Sequence, residues 1–339
     1  MLALLAEGPG VAALEEVPAP RPGPGEVVVR VDVALTCGTD LKLLRRGHPK
    51  FPFPLVLGHE WAGRVESAGD GVDLPAGLRV TAAVTGPCGE CAACRAGRQH
   101  LCESAFDHPS WGAFAGRMRI PARVVRSGLL PVPDGLALEA AALIDPVASV
   151  VHALDRSPLE GRPDVLVHGS GPIALTFAAL LPLWGAGRVV VAGRRTARLE
   201  RIRRTGATVV NVVASSLPAA LAEATAGRGA GLVVDTSGEA SLVPGLVDLV
   251  ASGGTLLLFA GMPRETRIDL SAYRLHYEEV TVTGSFHYRP ADVRKSLSLL
   301  SEGALPVEDL VTRRRPLSEW AEAFADLSRG DGMKTALLP

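Results

Sequence analysis

The sequence predicts an α/β protein in which a β-rich part is joined to a doubly wound parallel sheet. Short strands and glycine turns continue to about residue 135, as in "EVVVRVDVAL" near the N-terminus. From about residue 139, apolar strands alternate with helices, for example in "DVLVHGSGPIALTFAALL". This alternation is typical of a parallel sheet that is covered by helices on both faces.

The individual elements follow from local composition. Residues Val27 to Val33 are too β-branched for a helix and predict a strand. A helix is expected from 172 to about 184, although Pro182 removes a backbone donor and should kink or end it early. Another helix is expected around 239–250, and after residue 289 the pattern predicts helix, strand and a final helix.

Composition excludes several classes of function. The chain has 339 residues, 47% of them hydrophobic, and a net charge of −1. Such a charge gives no basic field for nucleic acid, and no apolar stretch has the length of a membrane span. The N-terminus lacks the basic region of a signal peptide. We therefore expect a cytoplasmic protein with a small-molecule substrate and no nucleic-acid or membrane partner.

Four of the five cysteines lie in one short stretch, "CGECAACRAGRQHLC". Thiols stay reduced in the cytosol, so clustered cysteines there indicate a metal more than disulfides. Four thiolates fill the tetrahedral coordination of zinc and leave no open position, so this site is predicted to be structural. Idle or redox-active thiols are the alternative. The predicted ligands are Cys88, Cys91, Cys94 and Cys102.

Other residues could hold a second metal with one open position. Cys37 follows a strand, His59 and Glu60 lie in "LGHEWAG", and Asp145 lies on an apolar helix, where a bare carboxylate is costly. Together they offer the thiolate, imidazole and carboxylate that suit a catalytic zinc. Each alone is more typical of a buried thiol, a satisfied core histidine or a capping aspartate, and their spacing does not show that they meet.

The glycine turn "HGSGPIA" predicts a dinucleotide site. Gly169 and Gly171 stand between an apolar strand and a helix, where glycine allows a pyrophosphate to approach the helix N-terminus. A glycine-rich turn without a ligand is the alternative. The surrounding strand–turn–helix is the context that the motif requires, and it favours the dinucleotide.

These motifs together resemble the zinc-dependent medium-chain alcohol dehydrogenases over nearly all of the chain. "CGTD", "GHEWAG", "GPCGECAACRAGRQHLC", "GSGPIA" and "GSFHY" occur in that family's order and at its distances. Within the family the chain is most similar to the polyol branch, such as the sorbitol (L-iditol) and threonine dehydrogenases. The stretches "GSFHYRP" and "LVTRRRPL" carry that similarity.

The resemblance implies a GroES-like catalytic domain at residues 1–146, with its structural zinc lobe at 88–102. It implies an inserted Rossmann domain at 147–289, after which residues 290–339 return to the catalytic domain. Two zinc ions per chain are expected, one structural and one catalytic. A homo-oligomer, either a tetramer or a dimer, is also expected.

The implied reaction is reversible oxidation of an alcohol to a carbonyl, with hydride transfer to a nicotinamide. Thr39 matches the family's hydroxyl that takes the alcohol proton. The implied catalytic residues are Cys37, Thr39, His59 and Glu60, and the catalytic metal's candidate ligands are Cys37, His59, Glu60 and Asp145. The implied cofactor residues are Gly169, Gly171, Pro172, Ile173, Gly193, Arg194, Arg195 and Ser285.

Two positions depart from the family pattern. Lys42 stands where the family often has the histidine that ends the proton relay, and His48 is a possible substitute. Asp145 stands where polyol dehydrogenases usually carry glutamate, and its side chain is one methylene shorter. The sequence leaves open whether Glu60 or Asp145 ligates the metal directly.

The second strand of the dinucleotide domain predicts NADP rather than NAD. NAD-binding members end this strand in an acidic residue that binds the ribose hydroxyls. Here that place falls at Gly193, and Arg194 and Arg195 follow at once. Guanidinium groups suit the 2′-phosphate, whereas a carboxylate would repel it.

The expected substrate is a polyol, sugar or secondary alcohol, with His287 or Arg289 as candidate contacts to hydroxyls or to an anionic group. An aminocyclitol or threonine-type dehydrogenase is the alternative enzyme. A zinc- and nucleotide-binding protein without turnover, or a zincless quinone reductase, is disfavoured by the presence of Cys37, His59, Glu60 and Thr39 together.

Overall fold

Residues 1–148 and 287–339 fold into one unit of this computed structural model, and residues 149–286 fold into a second. The sequence places the boundaries after residues 146 and 289, whereas the structure places them after residues 148 and 286. The structure describes residues 1–48 and 50–339.

Sixteen strands lie within the described residues. They are β1 Leu2–Gly8, β2 Val11–Glu16, β3 Val27–Leu35, β4 Leu55–Val56, β5 Glu60–Ala68, β6 Arg79–Ala82, β7 Arg117–Ile120, β8 Leu129–Pro131, β9 Val165–His168, β10 Val189–Gly193, β11 Thr208–Asn211, β12 Ala230–Asp235, β13 Val250–Leu258, β14 Thr281–Gly284, β15 Val311–Pro316 and β16 Lys334–Leu338.

Thirteen α-helices lie within the same described residues. They are α1 Gly38–Arg46, α2 Ala92–Arg95, α3 Ala122–Gly128, α4 Leu138–Ala141, α5 Ile144–Leu154, α6 Pro172–Leu180, α7 Thr196–Arg203, α8 Leu217–Thr225, α9 Val243–Val247, α10 Ala272–His276, α11 Pro290–Ser301, α12 Val307–Leu310 and α13 Trp320–Arg329. Short 3₁₀ turns occur at Gln99–Leu101, Leu181–Trp184, Ala240–Leu242 and Leu317–Glu319.

The first unit is built on a mostly antiparallel sheet in the order β15-β16-β3-β5-β6-β8, with β7 also paired to β3. A smaller sheet has the order β2-β1-β4. The long strands β3 and β5 pair over most of their length, so that Leu35 lies opposite Glu60. This register brings the residues after β3 close to those at the start of β5.

The second unit is a six-stranded parallel sheet in the order β11-β10-β9-β12-β13-β14. Strand β9 lies in the middle, and its residues Val165, Leu166 and Val167 are fully buried. Continuous apolar strands of this kind are typical of parallel sheets covered on both faces. The predicted fold class, a β-rich domain with a doubly wound parallel sheet, is confirmed.

Proline shortens the helix that was expected over residues 172–184. Helix α6 ends at Leu180, and a 3₁₀ turn covers Leu181–Trp184. Pro182 cannot donate to a carbonyl one turn earlier, so the α-helical ladder stops before it. The helix expected around 239–250 is also shorter, because β13 already begins at Val250.

Two elements near the candidate site have no counterpart among the sequence-based expectations. Helix α1 begins directly after Cys37, and strand β16 pairs with β3 near the C-terminus. No helix among the described residues combines the length and apolarity that crossing a membrane requires.

We expect Leu166→Ala to lower the free energy of unfolding by about 2–5 kcal/mol, because it leaves a cavity in the centre of the parallel sheet. Leu166 is fully buried, whereas Leu183 is 60% exposed and provides a matched control. Leu183→Ala should change the free energy by no more than about 0.5 kcal/mol. Urea unfolding followed by circular dichroism measures both, and equal losses would contradict the assignment of Leu166 to the core.

Candidate active site

Cys37 stands where β3 gives way to helix α1. It is the N-cap of α1, and its Sγ accepts a hydrogen bond from the backbone N–H of Thr39 at 3.5 Å. The sulfur therefore lies at the positive end of the helix dipole. Thr39 is exposed beside it, and Lys42 is exposed further along the same helix.

His59 is oriented by a buried carboxylate that belongs to α1. Asp40 is fully buried, and its Oδ1 lies 3.0 Å from His59 Nδ1 and 3.2 Å from the backbone nitrogen of Gly58. An ionised carboxylate only accepts, so Nδ1 donates and Nε2 is left to ligate a metal. Burial lowers the pKa of His59, but Asp40 raises it more, and the pKa lies well above its usual range.

The ring of His59 is also held by packing. Trp111 stacks on it with ring centroids 4.4 Å apart and an interplanar angle of 14°. Phe51 packs against Trp111 at 4.8 Å and meets Phe106 edge to face at 6.2 Å. The imidazole therefore has one fixed orientation, set by Asp40 and Trp111 together.

Glu60 forms a buried ion pair with Lys334 of strand β16. Lys334 Nζ lies 2.8 and 2.6 Å from the two carboxylate oxygens of Glu60, and 3.4 Å from the carbonyl oxygen of Thr36. Burial raises the pKa of Glu60, and the Lys334 charge opposes that rise. Burial lowers the pKa of Lys334, but Glu60 and Cys37 raise it more, so the lysine stays charged.

Asp145, in the first turn of α5, is tied to a tyrosine. The hydroxyl of Tyr288 donates to Asp145 Oδ1 at 2.5 Å and accepts from the backbone nitrogen of Val84 at 2.9 Å. Burial and the nearby Asp145 raise the pKa of Tyr288 well above its usual range. The phenol therefore remains a donor, and it fixes one oxygen of the carboxylate.

Three of the predicted residues converge as a metal-binding group. One ligand atom from each of Cys37, His59 and Glu60 lies within 4.8 Å of the others. Asp145 stands outside this group, but its charge raises the pKa of Glu60, so the two carboxylates are neighbours. Sulfur, imidazole and carboxylate donors suit zinc, and three of them leave a position for a further ligand.

The four clustered cysteines form the second such group among the described residues. Their sulfur atoms lie within 4.8 Å of one another, with Cys88 and Cys94 3.9 Å apart. Backbone N–H groups of Cys91 and Glu90 donate to Cys88 Sγ and lower its pKa to about 6, whereas burial raises the pKa of Cys94 to about 12. A four-sulfur set fits a closed, structural zinc site.

The second unit holds a cleft of about 790 Å³ at the carboxyl ends of its strands. Five predicted cofactor residues line it, namely Gly169, Gly171, Gly193, Arg194 and Arg195. Arg198, Ser170 and His168 line it as well. Pro172, Ile173 and Ser285 are not among its lining residues within the described chain, although Pro172 begins helix α6 directly after the turn.

His168 in this cleft is fixed by Asp235 of the adjacent strand. Asp235 is fully buried and accepts from Ser237 through both N (2.9 Å) and Oγ (2.6 Å), and His168 Nδ1 lies 3.3 Å from its Oδ1. Burial raises the pKa of Asp235, but the hydrogen bonds from His168 and Ser237 lower it below its usual value. The ends of β9 and β12 are thereby held together.

The two candidate substrate contacts differ in the structure. Arg289 makes a two-pronged contact with Asp292, at 3.1 and 2.7 Å, which caps helix α11. His287 lies 2.5 Å from Thr85 Oγ1 through its Nε2, packs against Phe106 at 5.3 Å, and has a φ of 59°. A non-glycine residue in this conformation is uncommon and is often found at functional sites.

Sequence reasoning did not single out four residues that shape the site: Asp40, Trp111, Tyr288 and Lys334. Asp40 is part of the "CGTD" motif, so its spacing from Cys37 was a usable signal. No local sequence signal identifies Lys334, because it pairs with a residue 274 positions away. His48, the possible relay substitute, is exposed, and its Nδ1 accepts from the backbone nitrogen of Lys50.

Comparisons with known proteins agree with this geometry. Residues 23–134 match the model of the alcohol dehydrogenase GroES-like domain, and residues 172–302 match that of zinc-binding dehydrogenases. The chain is 31% identical to the L-galactonate-5-dehydrogenase of Escherichia coli K12, over 96% of this chain and 94% of that protein. It is 33% identical to the L-threonine 3-dehydrogenase of Streptomyces avermitilis, over 96% and 95%.

A solved structure extends the likeness to three dimensions. A zinc-binding dehydrogenase of Sinorhizobium meliloti 1021, crystallised with NADP bound, superimposes with a TM-score of 0.90 at 28% identity, covering 100% of this chain and 99% of that one. The chain is an oxidoreductase that belongs to the zinc-dependent medium-chain alcohol dehydrogenase family, in the branch of the polyol and threonine dehydrogenases.

Proposed function

We propose that the protein is an NADP-linked zinc dehydrogenase that reversibly oxidises a hydroxyl group of a polyol, sugar or secondary alcohol to a carbonyl. The observation that carries the proposal is the convergence of Cys37, His59 and Glu60 within 4.8 Å, with Asp40 behind the imidazole. A protein that only stored zinc would have no need for such an open donor set beside the closed four-cysteine group.

The metal-binding roles follow from the contacts of each residue. Cys37 and His59 hold the catalytic zinc. We assign the third ligand to the second carboxylate oxygen of Asp145, because Lys334 keeps Glu60 in an ion pair whereas Tyr288 binds only Oδ1 of Asp145. Glu60 is the alternative third ligand, since it stands within reach. A bound zinc would polarise the substrate oxygen as a Lewis acid. Thr39, exposed beside Cys37, takes the alcohol proton.

The NADP preference rests on the charges of the cleft. Gly193 ends β10 without a carboxylate, and three arginines, Arg194, Arg195 and Arg198, line the cleft beside it. Glu239 also lines the cleft, and it accepts a hydrogen bond from Ser241 at 2.9 Å. The related S. meliloti dehydrogenase was crystallised with NADP, which supports the same assignment.

A polyhydroxylated substrate fits a cluster of polar and aromatic side chains in the unit that also contains the metal-binding group. Thr85 and His287 form a hydrogen-bonded pair, next to the aromatic side chains of Phe106 and Tyr288. Apolar ring faces with a few placed donors suit the mixed surface of a sugar chain. The named activity of the E. coli relative, on L-galactonate, supports a sugar-derived substrate.

A threonine-type or aminocyclitol dehydrogenase is the second candidate. The likeness to an L-threonine 3-dehydrogenase favours it. An amino alcohol carries an ammonium group, which requires an anionic partner near the metal. Comparing kcat/KM for L-threonine with kcat/KM for a polyol of similar length distinguishes the two candidates.

We also propose that the protein works as a cytoplasmic homo-oligomer. None of its five cysteines forms a disulfide, as is usual in a reducing compartment. Among the described residues β14 pairs only with β13, so the outer edge of β14 is unpaired in the parallel sheet. Tyr273 and Tyr277 nearby in the chain are 61% and 72% exposed. Light scattering should show a dimer or tetramer, and a monomer at micromolar concentration would contradict the proposal.

The test of the proposed function is turnover with sorbitol, xylitol, L-galactonate, L-threonine and octanol, each with NADP and NAD. We expect a polyhydroxylated compound to give the highest kcat/KM. Cys37→Ala should abolish turnover but keep NADPH binding, because Cys37 belongs to the unit that does not contain the cleft. Faster turnover of octanol than of every polar compound would refute the substrate class, and no turnover at all would favour a binding protein.

Asp40→Asn should weaken zinc at the catalytic site by about 10–100-fold and leave the four-cysteine site unchanged. The amide keeps the shape of the carboxylate but loses its charge, and partners behind metal-binding histidines typically matter to this extent. Zinc content after dialysis against graded chelator concentrations measures both sites. Asp73→Asn, at an exposed aspartate, is the control. Loss of both zinc ions in parallel would contradict the role of Asp40.

Arg194→Ala and Arg195→Ala should each weaken NADPH by about tenfold to a hundredfold, because a charge-assisted hydrogen bond contributes about 1.5–3 kcal/mol. NADH affinity should change little, since NADH has no 2′-phosphate. Fluorescence titration with both reduced cofactors measures the difference. Arg188→Ala, outside the lining of the cleft, is the control. Equal weakening of NADH and NADPH would show that the arginines do not read the phosphate.

A further inference from the structure

A row of aromatic side chains starts at one of the proposed metal ligands. Trp111 stacks on His59 with ring centroids 4.4 Å apart, and Phe51 packs on Trp111 at 4.8 Å. Phe106 meets Phe51 edge to face at 6.2 Å and ends the row. The row therefore leads from a metal-binding imidazole to the half-buried ring of Phe106.

A second row starts at Asp145 and ends at the same phenylalanine. Tyr288 donates to Asp145 Oδ1, and the ring of His287 lies 4.1 Å from that of Tyr288. Phe106 lies 5.3 Å from His287. The two rows thus close a ring of side chains within the first unit, with the metal-binding group at one end and Phe106 at the other. We call it the aromatic enclosure, and its members are His59, Trp111, Phe51, Phe106, His287 and Tyr288.

A lysine stands over the far end of the aromatic enclosure. Lys50 Nζ lies 5.2 Å from the centre of the Phe106 ring, at the distance of a cation–π contact. The backbone nitrogen of Lys50 donates to His48 Nδ1 at 3.1 Å, and that of Phe51 donates to the His48 carbonyl at 2.9 Å. These contacts place a positive charge at the end of the enclosure that lies opposite the metal-binding group.

The protein does not neutralise the charge of Lys50. Within the described residues its ammonium group makes neither an ion pair nor a hydrogen bond. Asp107 directly follows Phe106, but it is exposed and does not pair with Lys50 in that part of the chain. An ammonium group offers three donors and attracts carboxylates as a point charge. Lys50 can therefore bind an anionic group of a ligand.

The wall between the two ends suits a chain of hydroxyl-bearing carbons. Thr85 is buried, and its hydroxyl forms a hydrogen bond of 2.5 Å with His287 Nε2 on the second row. The ring faces of Phe51 and Phe106 offer apolar surface beside this polar pair. Binding sites of this composition combine apolar packing with a few placed polar groups.

We propose that Lys50 is a specificity-determining residue that binds a carboxylate at the end of the substrate remote from the reacting hydroxyl. The preferred substrates are then aldonates, which are polyhydroxylated monocarboxylic acids, rather than neutral polyols. This inference rests on the proposed function, and it narrows the substrate class of the same site. The aromatic enclosure packs on the carbon chain, and Lys50 distinguishes an acid from an alcohol of equal length.

The test compares three acids with the neutral alcohols of the same chain length: L-galactonate with galactitol, D-gluconate with sorbitol, and D-xylonate with xylitol, each with NADP. The unmodified enzyme should give its highest kcat/KM with one of the acids, about tenfold or more above the neutral partner. Lys50→Met should lower that ratio by about tenfold, mainly through KM, because it removes a charge-assisted contact. The Kd of the same acid for the enzyme–NADPH complex, measured by calorimetry, should rise in proportion.

Two further variants separate charge from structure. Lys50→Arg keeps the positive charge and should retain most of the preference for the acid. Lys295→Met, at an exposed lysine of α11, is the matched control and should leave the ratio unchanged. Added salt should weaken binding of the acid to the unmodified enzyme more than to Lys50→Met, because salt screens exposed charges. Thermal unfolding reports whether each variant folds, and Lys50→Gln replaces Lys50→Met if the methionine variant does not.

The outcomes distinguish this inference from the proposed function. The same preference for the acid in Lys50→Met as in the unmodified enzyme would overturn the role of Lys50. A higher kcat/KM for the neutral alcohol in every pair would overturn the aldonate class, although oxidation of polyols would stand. If the unmodified enzyme turns over none of the six compounds, the proposed function fails, and this inference fails with it.

Discussion

The buried ion pair between Lys334 and Glu60 is the contact on which the candidate active site depends. Lys334 Nζ reaches both oxygens of Glu60 and the carbonyl of Thr36, and the nitrogen of Thr335 donates to Thr36 Oγ1 at 3.0 Å. The lysine strand thus touches the residue before Cys37 and the residue after His59. Removing one partner of such a pair typically costs about 3–5 kcal/mol, because the other charge stays buried.

Around this pair, each proposed metal ligand is positioned by a partner outside the ligand set. Asp40 orients His59, and Tyr288 donates a hydrogen bond to Asp145. The backbone N–H of Thr39, in the first turn of α1, donates to Cys37 Sγ. The same principle applies in the second unit, where Thr236 supports the glycine turn. In both units, therefore, residues outside the predicted binding sets fix the geometry of the residues within them.

The features predicted from sequence are those whose determinants are close together in the chain. The four cysteines and the glycine turn each lie within a short segment, so their spacing alone indicates their chemistry. The pairing of Lys334 with Glu60 joins residues 274 positions apart, and it needs the strand order β16-β3-β5, which no local pattern reports. Arg289 is a candidate substrate contact because it is a cationic residue in a polar stretch. In the structure its guanidinium group binds Asp292, and Arg289 caps helix α11.

Anomalous diffraction at the zinc edge, on crystals of enzyme purified without chelators, tests the central claim most directly. That claim is that Lys334 keeps Glu60 paired while Cys37 and His59 hold a zinc separate from the four-cysteine site. We expect two zinc peaks per chain, with the Lys334–Glu60 pair intact beside the second. A single peak within the cysteine group, or a zinc bound by Glu60 with Lys334 displaced, would contradict the account.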